Sequence, residues 1–72
     1  MGQRTIFDVF KFPVKYSRGS QQIFDADGNL VIDIRGWGRL EMVLGEVEAM
    51  DAQDDFGEKL TNLINRNRDQ LV

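Results

Sequence analysis

The chain has 72 residues, 42% of them hydrophobic and 29% charged, with a formal net charge of −3. Those fractions are close to globular averages and exclude disorder, and so short a chain makes one domain, 1–72, whose core yields only about 3–5 kcal/mol of net stability unless a ligand, a metal or self-association adds to it. There is no cysteine and no histidine, which removes disulfides, thiolate metal sites, the usual general base at neutral pH and the usual neutral metal ligand.

With nothing tying it to an oxidising compartment, the cytoplasm is the expected location. No apolar run approaches the roughly 18 residues that a membrane span needs, so no membrane contact is expected. Pairing with a second copy is open to a protein this small. Most hydrolytic and redox mechanisms are closed, and no pair of carboxylates is placed to share a pocket, so the chain reads as a non-enzyme without cofactor or metal.

Residues 1–10 carry apolar side chains that fit either period and give no assignment. From Lys11 to Arg35 the apolar residues alternate, with Phe12, Val14 and Tyr16 as one set and Leu30, Ile32 and Ile34 as another, which predicts two or three antiparallel strands in a meander. Pro13 has no amide to donate and places the first strand at an edge. The turns fall at Ser17–Ser20 and Asp25–Asn29.

Asp25, Asp27 and Gly28 look at first like part of a calcium loop. With Gly28 set at the glycine of such a loop, however, the first ligand would be Ile23 and the bidentate acid Ile34. The same residues suit a hairpin turn, in which Asp accepts local backbone hydrogen bonds and Gly takes a positive φ. The turn is the reading adopted.

Trp37 lies between two glycines, flanked by Arg35 and Arg39. Either its ring caps the core where the chain leaves the sheet, or it is an exposed anchor, since Trp and Arg are enriched at binding hot spots. No phosphate-loop pattern accompanies the glycines.

From about 45 to 67 the spacing predicts one amphipathic helix packed on one face of the sheet, which makes the fold class α+β. Val47, Met50, Gly57, Leu60 and Ile64 share an arc, with Phe56 and Leu63 at its margin, and Glu48, Asp51, Asp55 and Glu58 lie opposite. Asn65 or Asn67 is suited to end the helix. Gly57 should let the helix approach the sheet closely. Glu46 and Asp54 violate the arc. Glu46 suits the dipole of a first turn, and Asp54 admits a break in the helix with Asp55 as a new N-cap.

Charge is segregated, with seven acidic and no basic residues from Glu41 to Glu58. The acidic helix face, with Asp51, Asp55 and Glu58, is either solvated or a docking surface for a basic partner. Lys11, Lys15 and Arg35 with Tyr16 form the alternative, a basic strand face for nucleic acid.

The run FPVKYSRGSQQIFDADGNLVIDIRGWGRLE, followed by QDDFGEKLTNLIN, resembles short phage and prophage proteins that carry FPVKYS, IFDADGN and IRGWG elements and a C-terminal helix. The similarity covers roughly Phe12 to Asn67. It implies a small accessory protein made in a bacterial cell and acting on a host or phage protein. The shared motifs are structural, so no catalytic or binding residue follows from them.

Overall fold

The computed structural model describes residues 3–72. A 3-10 turn at Ile6–Asp8 leads into strands β1 (Lys15–Ser17), β2 (Gln22–Phe24) and β3 (Leu30–Asp33), then helices α1 (Gly38–Leu44), α2 (Glu46–Arg66) and α3 (Arg68–Leu71). The sheet is antiparallel in the order β1-β2-β3. This is the expected small α+β meander, with two additions. The single helix is joined by α1, which the glycines around Trp37 conceal from the sequence pattern, and by a last short turn, α3.

Ile23 sits at the centre of the sheet, opposite Tyr16 on β1 and Ile32 on β3. With Val14 and Ile64 it forms the buried core, and Phe7, Phe12, Tyr16, Val31, Ile32 and Leu60 close around it. The lead segment takes part through Phe7, whose ring stacks on Phe12 at 4.1 Å. Phe12 and Val14 face inward as their alternation predicts, but the strand itself begins only at Lys15. Before it, the backbone of Lys11 is tied to the β2–β3 loop, donating to Asp25 Oδ2 at 3.0 Å and accepting from Ala26 N at 2.9 Å.

Leu30 is a correction. Alternation places it inward with Ile32 and Ile34, yet it is 46% exposed. The cause lies in the register: Ile23 pairs with Ile32 and the next residue, Phe24, pairs with Leu30, so Val31 is an extra residue on β3. One inserted residue in a period of two moves everything beyond it to the other face.

Helix α2 runs unbroken from Glu46 to Arg66, so the break considered at Asp54 does not occur. Its buried residues, Ala49, Gln53, Asp54, Gly57, Thr61 and Ile64, centre on the same direction as the apolar arc: Gly57 meets Tyr16 and Leu60 and Ile64 join the core, while Val47 and Met50 stay exposed. Gly57 sets how closely this face approaches the sheet. A Cβ built there would stand 2.6 Å from Cδ1 and Cζ of Tyr16, so only glycine lets the ring lie against the helix backbone. At the far end Asn65 is buttressed against the strand approach: its Oδ1 accepts from Val14 N at 2.8 Å and its Nδ2 donates to Val14 O at 2.9 Å. Asn67, the other residue suited to ending the helix, does so, with Nδ2 donating to Leu63 O at 2.8 Å.

The molecule is elongated. Its radius of gyration is 13.9 Å and its extents are 48 × 20 × 18 Å, against a radius of about 11 Å for a compact domain of this length.

Two stability outcomes follow. Gly57→Ala should destabilise the fold by about 1–3 kcal/mol in urea unfolding through overpacking against Tyr16, although alanine favours helices by about 1 kcal/mol. A more stable variant would show that helix and sheet are not in that contact. Ile64→Ala should cost about 2–5 kcal/mol and Leu60→Ala less, because Leu60 only borders the core. Equal losses, read by thermal and urea melts, would misplace the core.

Candidate protein-interaction surface

The β2–β3 loop is built around Asp25, a buried carboxylate. Its Oδ1 accepts from Asp27 N at 3.0 Å and Asn29 N at 2.8 Å, and its Oδ2 accepts from Lys11 N at 3.0 Å and Asn29 Nδ2 at 3.4 Å. The protein's own donors thus occupy both oxygens. Gly28 takes φ +86°, the conformation a short hairpin loop demands. Asp27 is exposed at the loop tip. Among the described residues no group of three or more carboxylates is gathered as a metal site.

Asp54, which looks misplaced in the sequence, is the polar anchor between helix and sheet. The Tyr16 hydroxyl donates to its Oδ1 at 2.7 Å, and Arg18 approaches its Oδ2 at 3.4 Å while donating through Nε to Glu58 at 2.8 Å. Burial first, and then the hydrogen bond to the Asp54 carboxylate, push the Tyr16 hydroxyl well above the usual phenol range. A buried charge with these partners is tolerated where a lone one would not be.

The remaining sequence candidates scatter over several faces. Arg35 folds back on Asp33, with Nη2 to Oδ2 at 2.7 Å and Nε to Oδ1 at 3.0 Å. These side-chain bonds, and the Arg35 backbone amide, hold the Asp33 carboxyl far below the usual range. Trp37 precedes α1, and its ring lies against the exposed Phe56 at 5.5 Å, tilted by 56°, while remaining 38% exposed and outside the cluster that closes around the core. Arg39 is exposed in the first turn of α1.

Of the acidic trio, Asp51 is exposed, Asp55 pairs with Lys59 at 2.9 Å, and Glu58 pairs with Arg18. Glu58 therefore belongs to the edge of the sheet rather than to one free acidic face. For a basic strand face, Lys11 and Lys15 are exposed, but Arg35 is engaged by Asp33, and Tyr16 has its ring on Gly57 and its hydroxyl on Asp54.

The feature that sequence reasoning missed is an exposed apolar surface on the helices. Past the sheet, Met42 is 83% exposed, Val43 67%, Val47 74% and Met50 49%. Val47 and Met50 belong to the predicted arc, but they sit on a part of α2 with no sheet beneath it. Farther along, Phe56 and Leu63 are also exposed, and Leu60, Leu63, Ile64, Asn67 and Leu71 line a groove of about 400 Å³ between α2 and α3. The run of Met42, Val43, Leu44 and Val47 in so small a protein was the available signal.

The Asp25 carboxyl is a pH probe of the loop. Burial alone would raise its pKa, but the hydrogen bonds from Lys11, Asn29 and Asp27 prevail and hold it below its ordinary value of 3.8. A carboxyl depressed in the folded state adds stability above that value and loses it as pH falls through the lowered one. Unfolding free energies of wild type and Asp25→Asn should therefore differ fully above the ordinary aspartate range and converge as pH falls below it. A difference that does not change over this range would mean that Asp25 does not hold the loop by its charge. The chain matches no protein family, no curated protein and no solved structure, so its function must be sought in this geometry.

Proposed function

We propose that this is a noncatalytic accessory protein that acts by binding another protein through the overhanging end of its helices. The carrying observation is the exposed group of Met42, Val43, Val47 and Met50 on α1 and the first turns of α2. An exposed apolar group of this kind at one end of a small protein suits a docking surface, and methionine side chains adapt to the shape of a partner. Glu41, Glu46, Glu48 and Asp51 surround it, which favours a partner with an apolar groove rimmed by basic residues. The resemblance to phage and prophage proteins supports a bacterial host or phage protein as the target. A regulator that grips nucleic acid has less support, because of its four proposed contacts only Lys11 and Lys15 remain unengaged by the fold.

The test is a paired comparison of wild type and Met42→Asp/Val47→Asp as bait in a bacterial host lysate. Both positions are exposed, and changes there should alter stability by no more than about 0.5 kcal/mol each. The variant should keep the melting curve and lose whatever protein the wild type retains. Retention of the same protein by both would overturn the reading. A gel shift at low and moderate salt covers the alternative, since phosphate contacts weaken steeply with salt.

A further inference from the structure

We infer that the chain forms a two-fold symmetric dimer in which the α2 helices of two copies pack antiparallel along a second apolar strip, distinct from the overhang. The strip is Ala52, Phe56, Leu60 and Leu63, spaced by four, four and three residues, so it follows one side of the helix. It leads into the groove lined by Leu60, Leu63, Asn67 and Leu71. Phe56 and Leu63 are exposed, and Ala52 and Leu60 half-buried.

Charge identifies the occupant as a second copy. Between Glu46 and Glu58 helix α2 carries only acidic charge, and from Lys59 to Arg66 only basic charge. Two such helices laid parallel would oppose like charges, whereas laid antiparallel they oppose unlike ones. One register brings all four pairs within a residue or two of direct opposition: Phe56 meets Leu60 of the other copy, Ala52 meets Leu63, Asp55 meets Lys59 and Glu48 meets Arg66. These four charged side chains are all exposed on one edge of the strip. The small Ala52 leaves room for Leu63, and Phe56 enters the near end of the groove.

The surface area agrees. The chain exposes 5368 Å² at 8.3 kDa, where a compact monomer of that mass exposes about 4600 Å². That excess is shared between this strip and the overhang, so the strip has area to give to an interface without accounting for all of it.

Sedimentation equilibrium of the full chain should show a dimer at micromolar concentration, and Leu63→Asp should raise its dissociation constant at least 100-fold while circular dichroism stays unchanged. Glu48→Lys/Asp55→Lys should weaken the dimer, and adding Lys59→Glu/Arg66→Glu to the same chain should restore it. Because the protein has no cysteine, Glu48→Cys/Arg66→Cys gives a direct check. The two positions are about 27 Å apart along one helix, so a disulfide can form only between copies. A cross-linked dimer on a non-reducing gel is expected. A monomeric wild type, a dimer indifferent to Leu63→Asp, or a dimer broken instead by Met42→Asp/Val47→Asp would each overturn the inference. The overhang is a separate surface, so a monomeric wild type that still retained its partner through Met42 and Val47 would leave the proposed function standing.

Discussion

Contact between the Tyr16 ring and the backbone of Gly57 fixes how α2 lies on the sheet, and most other features follow from it. Once glycine admits the ring, the hydroxyl reaches Asp54 one turn earlier on the helix, and Arg18 closes over the same carboxylate. A helix held this way buries Asp54, Gly57, Thr61 and Ile64 and brings Leu60 against the core. Val47 and Met50, in its first turns, stay exposed. Asn65 fixes the other end by matching both backbone groups of Val14, as a neighbouring strand would, so the helix can neither roll nor slide without breaking paired bonds in a partly buried setting.

The same contact bears on what could be read in advance. Strand alternation at Phe12, Val14 and Tyr16 and at Ile32 and Ile34, the turn at Asp25–Asn29, the close approach at Gly57 and the extent of α2 were legible, since each depends on local pattern or on a residue with a single conformational use. The direction of α2's inward face was legible too, but not that Val47 and Met50 on it would stay exposed. A hydrophobic arc marks the direction of burial and not how far along the helix the opposing surface reaches. Asp54 looked like a break because its partners, Tyr16 and Arg18, lie 38 and 36 residues away and leave no local trace. Leu30 was misplaced by a bulge that adds a residue without changing the alternation seen in the sequence.

The candidate surface was legible only in part. Trp37 drew notice by its flanking glycines, and it stands at the surface, leaning on the exposed Phe56. Its arginine neighbours are less alike than they look, because Arg35 is held by Asp33 while Arg39 stands on α1. Charges at Asp51, Asp55 and Glu58 share a helix but not a task. Exposed ion pairs such as Lys59–Asp55 contribute about 0–1 kcal/mol, so they can exchange partners at little cost when another surface approaches.

Length supplies the remaining constraint. Strands of three or four residues span roughly 10–13 Å, whereas α2, with 21 residues, runs about 31 Å. No arrangement of so short a sheet can cover so long a helix, and therefore part of the helix must stand free whichever face it presents. Were its free part polar throughout, the overhang would need no explanation beyond solubility. Instead it carries Val47 and Met50, opposite an α1 that adds Met42 and Val43 to the same end. Apolar side chains at the end of a helix more than twice as long as its own sheet stay about half or more exposed in the chain itself, and that exposure is what the proposed docking would relieve.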